Sequence, residues 1–349
     1  MARIENMATA LPPYVVEQSL ARDAYTMLFA GTPSAERLAA LFDRCGVERR
    51  HFAFPPSYYL SGKSFDDRNQ DYVDKALDLA EQASRACLDR AGVSPGQIDH
   101  LILATTTGLA TPSLDALLVP RLGLRADVRR WPLFGLGCAG GAGALIRADE
   151  VLCGHPDQRA LVISVELCGQ SFTPRATDPV DAVGGALFGD GAAAVLVAGD
   201  ATGAPGPQVV ATGSVLFEDS KHIMGWRFTS DGMRLVLSPD VTDLLRQKFR
   251  PVTEEFLAAN GLRVADITHW VLHPGGRRII EAYEEALGCL DGELSWTRGS
   301  LAKVGNLSSA SVLFVLDEVL QRAAPKAGDR AFVAAPGPGF GIEMMVLRW

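Results

Sequence analysis

Apolar positions recur along the chain at two spacings. Val73, Leu77, Ala80 and Cys87 fall on one face at helical spacing, so the stretch closing at Glu81 to Ala91 is expected to be a helix. Gly92 follows, where a left-handed C-cap glycine belongs. Gln97-Ile-Asp-His-Leu-Ile-Leu-Ala-Thr-Thr-Thr-Gly108 then reads as a short apolar strand running into a polar loop. Val241, Leu244, Leu245, Phe249, Phe256 and Leu257 mark a second helical region, expected to be interrupted at Pro251 and closed by Gly261. Asp266-Ile-Thr-His-Trp-Val-Leu-His-Pro-Gly-Gly276 is again a strand entering a loop. Ala192-Ala-Ala-Val-Leu-Val197 is apolar throughout, as a strand buried on both faces would be. Strands alternating with helices imply an α/β protein whose sheets are covered by helices.

The two halves of the chain repeat one plan. Gly92 and His100 are followed, at a constant interval, by Gly261 and His269. Leu136-Gly-Cys-Ala-Gly-Gly-Ala-Gly-Ala-Leu145 aligns with Val304-Gly-Asn-Leu-Ser-Ser-Ala-Ser-Val-Leu313 at nearly the same interval, which pairs Cys138 with Asn306. Apolar strands follow each, Ala160 to Val165 and Ala331 to Ala335. Three such matches in order point to two copies of one α/β unit. The loose stretch Gly199 to Gln208 is the best boundary, giving halves at 1–200 and 201–349.

Composition narrows the classes. With 349 residues, 48% hydrophobic and 21% charged, the chain can bury a large core and is not disordered. A net charge of −8 with no basic block argues against nucleic acid or an anionic membrane as partner. Met1 to Ala30 has no signal pattern, and no run of about 18 apolar residues predicts a membrane span. The six cysteines, Cys45, Cys87, Cys138, Cys153, Cys168 and Cys289, form no C-x-x-C pair. The expectation is a reduced, cytoplasmic protein with no metal site.

Three residues stand out chemically. Cys138 opens a helix of small residues, where the positive helix end would favour a thiolate with a pKa of roughly 3.5–7.5. The alternative is a buried cysteine in a close helix–sheet contact. His273 ends an apolar strand before Pro274-Gly275-Gly276, and Asn306 follows Gly305 at the other helix start. Taken singly, His273 reads as structural and Asn306 as an N-cap. The duplication offers a shared interface for all three.

Gly137-Cys138, His273-Pro-Gly-Gly276, Phe188-Gly-Asp-Gly-Ala-Ala-Ala194, Gly305-Asn306-Leu-Ser-Ser-Ala310 and Gly337-Pro-Gly339 together resemble the motifs of the type III polyketide synthases. These are the chalcone synthase-like members of the thiolase superfamily. The resemblance runs from about Ile4 to Leu347. It implies a five-layered αβαβα thiolase fold made of two duplicated halves, and a homodimer. It implies Cys138 as nucleophile, with His273 and Asn306 as its partners and Phe188 as a gate. By position, Thr106, Thr107, Cys168, Ser171, Leu235 and Ser308 resemble cavity-lining residues, and Thr111 resembles one that reaches across the dimer. Arg44, Arg37, Gly275 and Gly276 fall where the family holds CoA, although Ala40 stands at a basic position of that site. The implied substrates are acyl-CoA and malonyl-CoA, with an acyl carrier protein as an alternative donor and no cofactor.

Met224-Gly-Trp-Arg-Phe228 and Gly232-Met-Arg-Leu-Val-Leu-Ser-Pro-Asp240 look like the bacterial alkylresorcinol and alkylpyrone synthases. Leu235 and Thr111 are smaller than their plant counterparts, which suits a medium- or long-chain acyl starter, with Trp226 limiting the space where the product folds. The rivals are a ketoacyl-carrier-protein synthase III and, from another class, an inactive acyl-binding scaffold. The first usually carries His-Gln-Ala-Asn where this chain has His273-Pro-Gly-Gly276.

Overall fold

The computed structural model describes residues 1–30, 35–172, 179–230, 232–288 and 292–349, with the side chains of 35–38 and 179 outside that set. Cys289 and the Arg37 side chain therefore lie outside the described residues. The first elements are β1 (Ala2–Ala10), β2 (Tyr14–Glu17), α1 (Gln18–Leu28), α2 (Ala35–Arg44), β3 (Arg49–Phe52), α3 (Pro56–Tyr59) and α4 (Phe65–Ala91). There follow β4 (His100–Thr105), α5 (Leu114–Leu122), β5 (Arg129–Phe134), α6 (Gly140–Gly154), β6 (Arg159–Leu167), α7 (Pro179–Leu187) and β7 (Asp190–Gly199). The remainder is β8 (Gln208–Leu216), β9 (Met224–Thr229), β10 (Gly232–Leu237), α8 (Val241–Ala259), β11 (His269–Leu272), α9 (Arg277–Leu287), α10 (Ser295–Val304), α11 (Ser311–Arg322), β12 (Arg330–Gly337) and β13 (Gly341–Arg348).

The strand order β11-β12-β13-β8-β1-β7-β6-β4-β5 divides between β8 and β1, which share one pair, Arg3 opposite Gln208. On one side β4 runs parallel to β5 and β6, while β7 is antiparallel to β6 and β1. On the other, β11 is parallel to β12, and β13 is antiparallel to β12 and β8. Taken in chain order, the two sides have the same arrangement, except that the second has no counterpart of β5. The duplicated plan is thus carried by strand order and polarity as well as by sequence.

Side-chain alternation along the strands separates the layers. Leu101 and Leu103 of β4 join the core beneath α4 and α5, whereas Ile102 and Ala104 join a central core with α6 and α11. In the second half Trp270 and Phe332 face α8 and α9, whereas Val271 and Val333 face the same central core. Helices outside, two sheet halves and two helices between them make the five layers.

Local chemistry explains the element ends. The 27-residue α4 is capped by Ser64, whose side chain accepts from Asp67 N, and stops at Gly92 with φ 65°. The expected break at Pro251 does not occur: α8 continues through it, because Pro251 sits on the exposed face, where water can take the orphaned carbonyl. The expected equivalence of Cys138 with Asn306 also fails. The 3-10 turn Gly137–Ala139 before α6 has its counterpart in Ser308–Ala310 before α11, so Ser309 stands opposite Cys138 by element. Among the described residues no helix is long and apolar enough to cross a membrane.

The small residues of α6 have a steric reason. A Cβ added at Gly141 would lie 2.2 Å from the Ser309 carbonyl oxygen, a backbone atom that cannot swing away. Gly141→Ala should therefore cost about 1–3 kcal/mol, read as a lower urea midpoint. Gly96→Ala, with nothing within 4 Å of the new methyl, is the matched control. Equal midpoints for the two variants would contradict the close-packing account.

Candidate active site

Cys138 lies in the 3-10 turn that leads into α6. Gly137 has φ 50°, and a Cβ there would meet Pro338 at 2.6 Å, so only glycine fits the approach to the cysteine. The Gly137 N–H donates to Thr106 Oγ1 at 3.2 Å. Cys138 Sγ contacts Ser308 Oγ at 3.8 Å. Ser308 is held at φ 50°, an uncommon backbone for a side chain-bearing residue, and its N–H donates to Asn306 Oδ1 at 2.8 Å. Asn306 Oδ1 also accepts from Ser311 Oγ, while its Nδ2 donates to the Gly275 carbonyl at 3.2 Å. Gly275 lies two residues after His273, which extends the β11–β12 ladder through its own N–H to Ala334 O at 2.9 Å. One chain of contacts thus joins the turns that carry Cys138, Asn306 and His273.

Phe188 and Asn306 are tied through their backbones. Gly189 N donates to Asn306 O at 3.0 Å, and Asn306 N donates to Leu187 O at 2.8 Å. Trp226 packs on Phe188 with ring centroids 5.7 Å apart. Phe188, Cys168, Ser171 and Leu235 line a cavity of about 430 Å³ whose remaining wall is mostly apolar, with Tyr25, Phe29, Phe52, Phe54, Tyr59 and Phe172 its aromatic members. Thr106 and Thr107 do not line it. They are buried, and both turn onto Glu166. Thr111 is exposed. Arg44 is exposed at the end of α2, and the Arg277 N–H donates to Cys45 O at 3.2 Å, which brings Arg44 beside the Gly275–Gly276 turn.

Two site residues escaped the sequence expectations. Glu166, fully buried at the end of β6, accepts from the N–H of Thr106 (3.0 Å) and Thr107 (3.1 Å), from Thr107 Oγ1 (2.7 Å) and from Ser309 Oγ. A single acidic residue closing an otherwise apolar strand is the signal that could have found it. Arg50, 2% exposed, donates through Nη1 to the carbonyls of Gly185 and Phe188. Its side-chain carbons fill the space a Cβ on Gly305 would need, at 2.8 Å.

Electrostatics differ from the expected thiolate. Burial, reinforced by the Glu166 carboxylate, pushes the Cys138 thiol up to about 12, although its contact with Ser308 opposes this. Burial lowers His273 to about 3. Among the described residues its Nδ1 has no hydrogen-bond partner. Both shifts favour the neutral forms, a thiol at Cys138 and an uncharged imidazole at His273.

The His273 shift makes a stability prediction. Since the folded group lies below its ordinary 6.5, the unfolded chain takes up the proton first as pH falls. Stability contributed by neutral His273 is complete above 6.5 and is lost as pH falls toward about 3. His273→Gln should lose less stability than the parent between neutral pH and about pH 5 in urea titrations. Equal losses would refute burial of a neutral imidazole.

Comparison with known proteins places this geometry. Residues 1–201 match the N-terminal domain of the chalcone and stilbene synthases, and 208–349 match the C-terminal domain. A 1,3,6,8-tetrahydroxynaphthalene synthase of Streptomyces peucetius subsp. caesius is 43% identical over 98% of this chain and 91% of that protein. An alpha-pyrone synthesis polyketide synthase-like protein of Mycobacterium tuberculosis is 32% identical over 99% of this chain and 91% of its own. The crystal structure of 1,3,6,8-tetrahydroxynaphthalene synthase from Streptomyces coelicolor A3(2), a bacterial type III polyketide synthase, superposes with a TM-score of 0.95. It is 26% identical, with 99% of each chain covered. With both domains matched and the thiolase-type fold shared, the chain belongs to the chalcone and stilbene synthase family, the type III polyketide synthases.

Proposed function

We propose that Cys138 is loaded with a medium- or long-chain acyl group from its CoA thioester and that malonyl-CoA then extends it to an alkylpyrone or alkylresorcinol. The observation that carries the starter class is the 430 Å³ cavity behind Phe188, Cys168 and Leu235. Phe52, Phe54, Phe29 and Phe172 line it, and its size is ordinary for a small-molecule site of roughly 300–1,000 Å³.

The roles follow from the chemistry. Cys138 Sγ attacks the acyl thioester carbonyl while its proton passes to the neutral His273 imidazole and then to the departing CoA sulfur. Malonyl-CoA loses CO₂, and the enolate oxygen left behind accepts hydrogen bonds from Asn306 Nδ2 and the imidazole N–H. Each such donor is worth roughly 3–4 kcal/mol of barrier. The enolate carbon attacks the Cys138 thioester, a C–C bond forms, and the C–S bond to Cys138 breaks. These steps need no metal and no redox group. Arg44 and the Gly275–Gly276 turn, linked through the Arg277 N–H on Cys45 O, would hold the CoA.

The 43% identity to a tetrahydroxynaphthalene synthase favours a second reading, in which malonyl units alone build an aromatic product. Intact mass spectrometry after incubation with hexanoyl-, decanoyl-, palmitoyl- or malonyl-CoA separates the two. Decanoyl adducts on the parent and none on Cys138→Ala are expected, with the carrier-protein thioester compared in a parallel arm. If malonyl-CoA alone primes the enzyme, the fatty starter is wrong. Leu235→Trp, which fills the cavity, should lower palmitoyl loading at least about tenfold relative to hexanoyl.

A homodimer is proposed on the exposed edge of the sheet. β5 closes the sheet with Trp131 42% and Phe134 52% exposed, and Phe134 packs against Phe228, itself 45% exposed. An apolar edge strand of this kind calls for a covering partner. Trp131→Asp with Phe134→Asp should convert a dimer to a monomer in sedimentation. An unchanged sedimentation coefficient would remove β5 from the interface.

A further inference from the structure

The loop that follows β4 carries the inner hydrogen bonds of the site. Thr106 and Thr107 hold Glu166, and Thr106 Oγ1 accepts the Gly137 N–H that precedes Cys138. Residues 106–113 lie outside any helix or strand, so other elements have to fix their path. Two residues of α4, three apart on one helix face, do this. Tyr72, 1% exposed, lies against Gly108, where a Cβ would collide with its ring. Thr105 Oγ1 donates to Glu166 Oε2 at 3.4 Å, so in its 2.5 Å contact with Tyr72 Oη the tyrosine is the donor.

Asn69 holds the outer end of the same loop. Its Nδ2 donates to Leu109 O at 2.8 Å, and its Oδ1 accepts from Leu109 N at 2.8 Å. One side-chain amide thus satisfies both backbone groups of a single residue, as a neighbouring strand would. Leu109 is 42% exposed and belongs to none of the apolar cores. Among the described residues it makes no other hydrogen bond. Asparagine is also a weaker helix former than alanine, because its amide competes with the backbone. A local rule broken in the middle of α4, for a contact that the helix itself does not need, marks a position serving something beyond the helix.

We propose that Asn69 is a positioning residue for Cys138. It anchors the loop at Leu109, with Tyr72 as the buried support beneath Gly108. The anchored loop holds Thr106, and Thr106 Oγ1 orients the Gly137 N–H and with it the turn that carries the thiol. The claim rests on Cys138 as the nucleophile proposed above, and adds what holds that nucleophile in place.

Kinetics of Asn69→Ala, Thr106→Val and the double variant test this. Alanine is the better helix residue, so α4 should form in the variant. CoA release from hexanoyl- and malonyl-CoA together should show kcat about tenfold lower in Asn69→Ala, with KM for malonyl-CoA unchanged. Iodoacetamide alkylation of Cys138, followed by peptide mass spectrometry, should slow about tenfold as well. Exposed Cys153 in the same molecules should react at the parent rate. The double variant should be no slower than Thr106→Val, because both changes act through one bond. Parent-like kcat and Cys138 alkylation in Asn69→Ala, a change confined to KM or to the urea midpoint, or multiplicative losses in the double variant would overturn the proposal. Product formation by Cys138→Ala would instead defeat the nucleophile reading, and the alkylation rates would still report on Asn69.

Discussion

The structure depends on how closely α6 approaches the turn before α11. Gly140 and Gly141 let the two halves meet at Ser309, where a Cβ would lie 3.0 Å from the Ser309 side chain and 2.2 Å from its carbonyl oxygen. Backbone contact at this distance brings Ser309 Oγ onto Glu166 and onto Ser164 Oγ at 2.6 Å. A carboxylate buried without a cation is expensive unless each oxygen is hydrogen-bonded, and here both halves supply the donors. Glu166 in turn fixes Thr106, and Thr106 fixes the Gly137 N–H that precedes the nucleophile. Packing of small residues therefore sets the position of Cys138 through a short run of hydrogen bonds.

The same burial governs the chemistry. Desolvation disfavours an uncompensated charge, which favours a thiol at Cys138 and a neutral imidazole at His273. In the proposed reaction charge develops only when a substrate oxygen can share it, and fixed donors then act with little solvent screening. Asn306 is suited to this role because its Oδ1 is held by Ser308 N and Ser311 Oγ, which orients the amide. The left-handed backbone of Ser308 is part of that arrangement, since it points one residue at both Asn306 and Cys138.

Phe188 and Asn306 are joined through their backbones. The Phe188–Asn306 bridge is braced by Arg50, whose Nη1 holds the Phe188 carbonyl and whose carbons pack in the space left by Gly305. A shift of Phe188 would strain the backbone bonds that Leu187 and Gly189 make with Asn306.

The α/β alternation, the repeated plan and the motifs around Cys138, His273 and Asn306 were legible in the chain, because each is written in local spacing. Periodicity reports which face of a helix or strand is buried, and glycine reports where a backbone must turn or approach closely. Glu166 and Arg50 were not legible, because their importance comes from partners far away in sequence, Ser309 and Phe188 among them. The pairing of Cys138 with Asn306 misled for a related reason: similar letters fell one helical turn out of register, and only the strands and helices on either side place Ser309 opposite the cysteine. The sequence by itself determined the layers and picked out Cys138, His273 and Asn306 as the candidate residues. Tertiary structure alone decided their protonation, because desolvation depends on everything packed around a group and not on its neighbours in the chain.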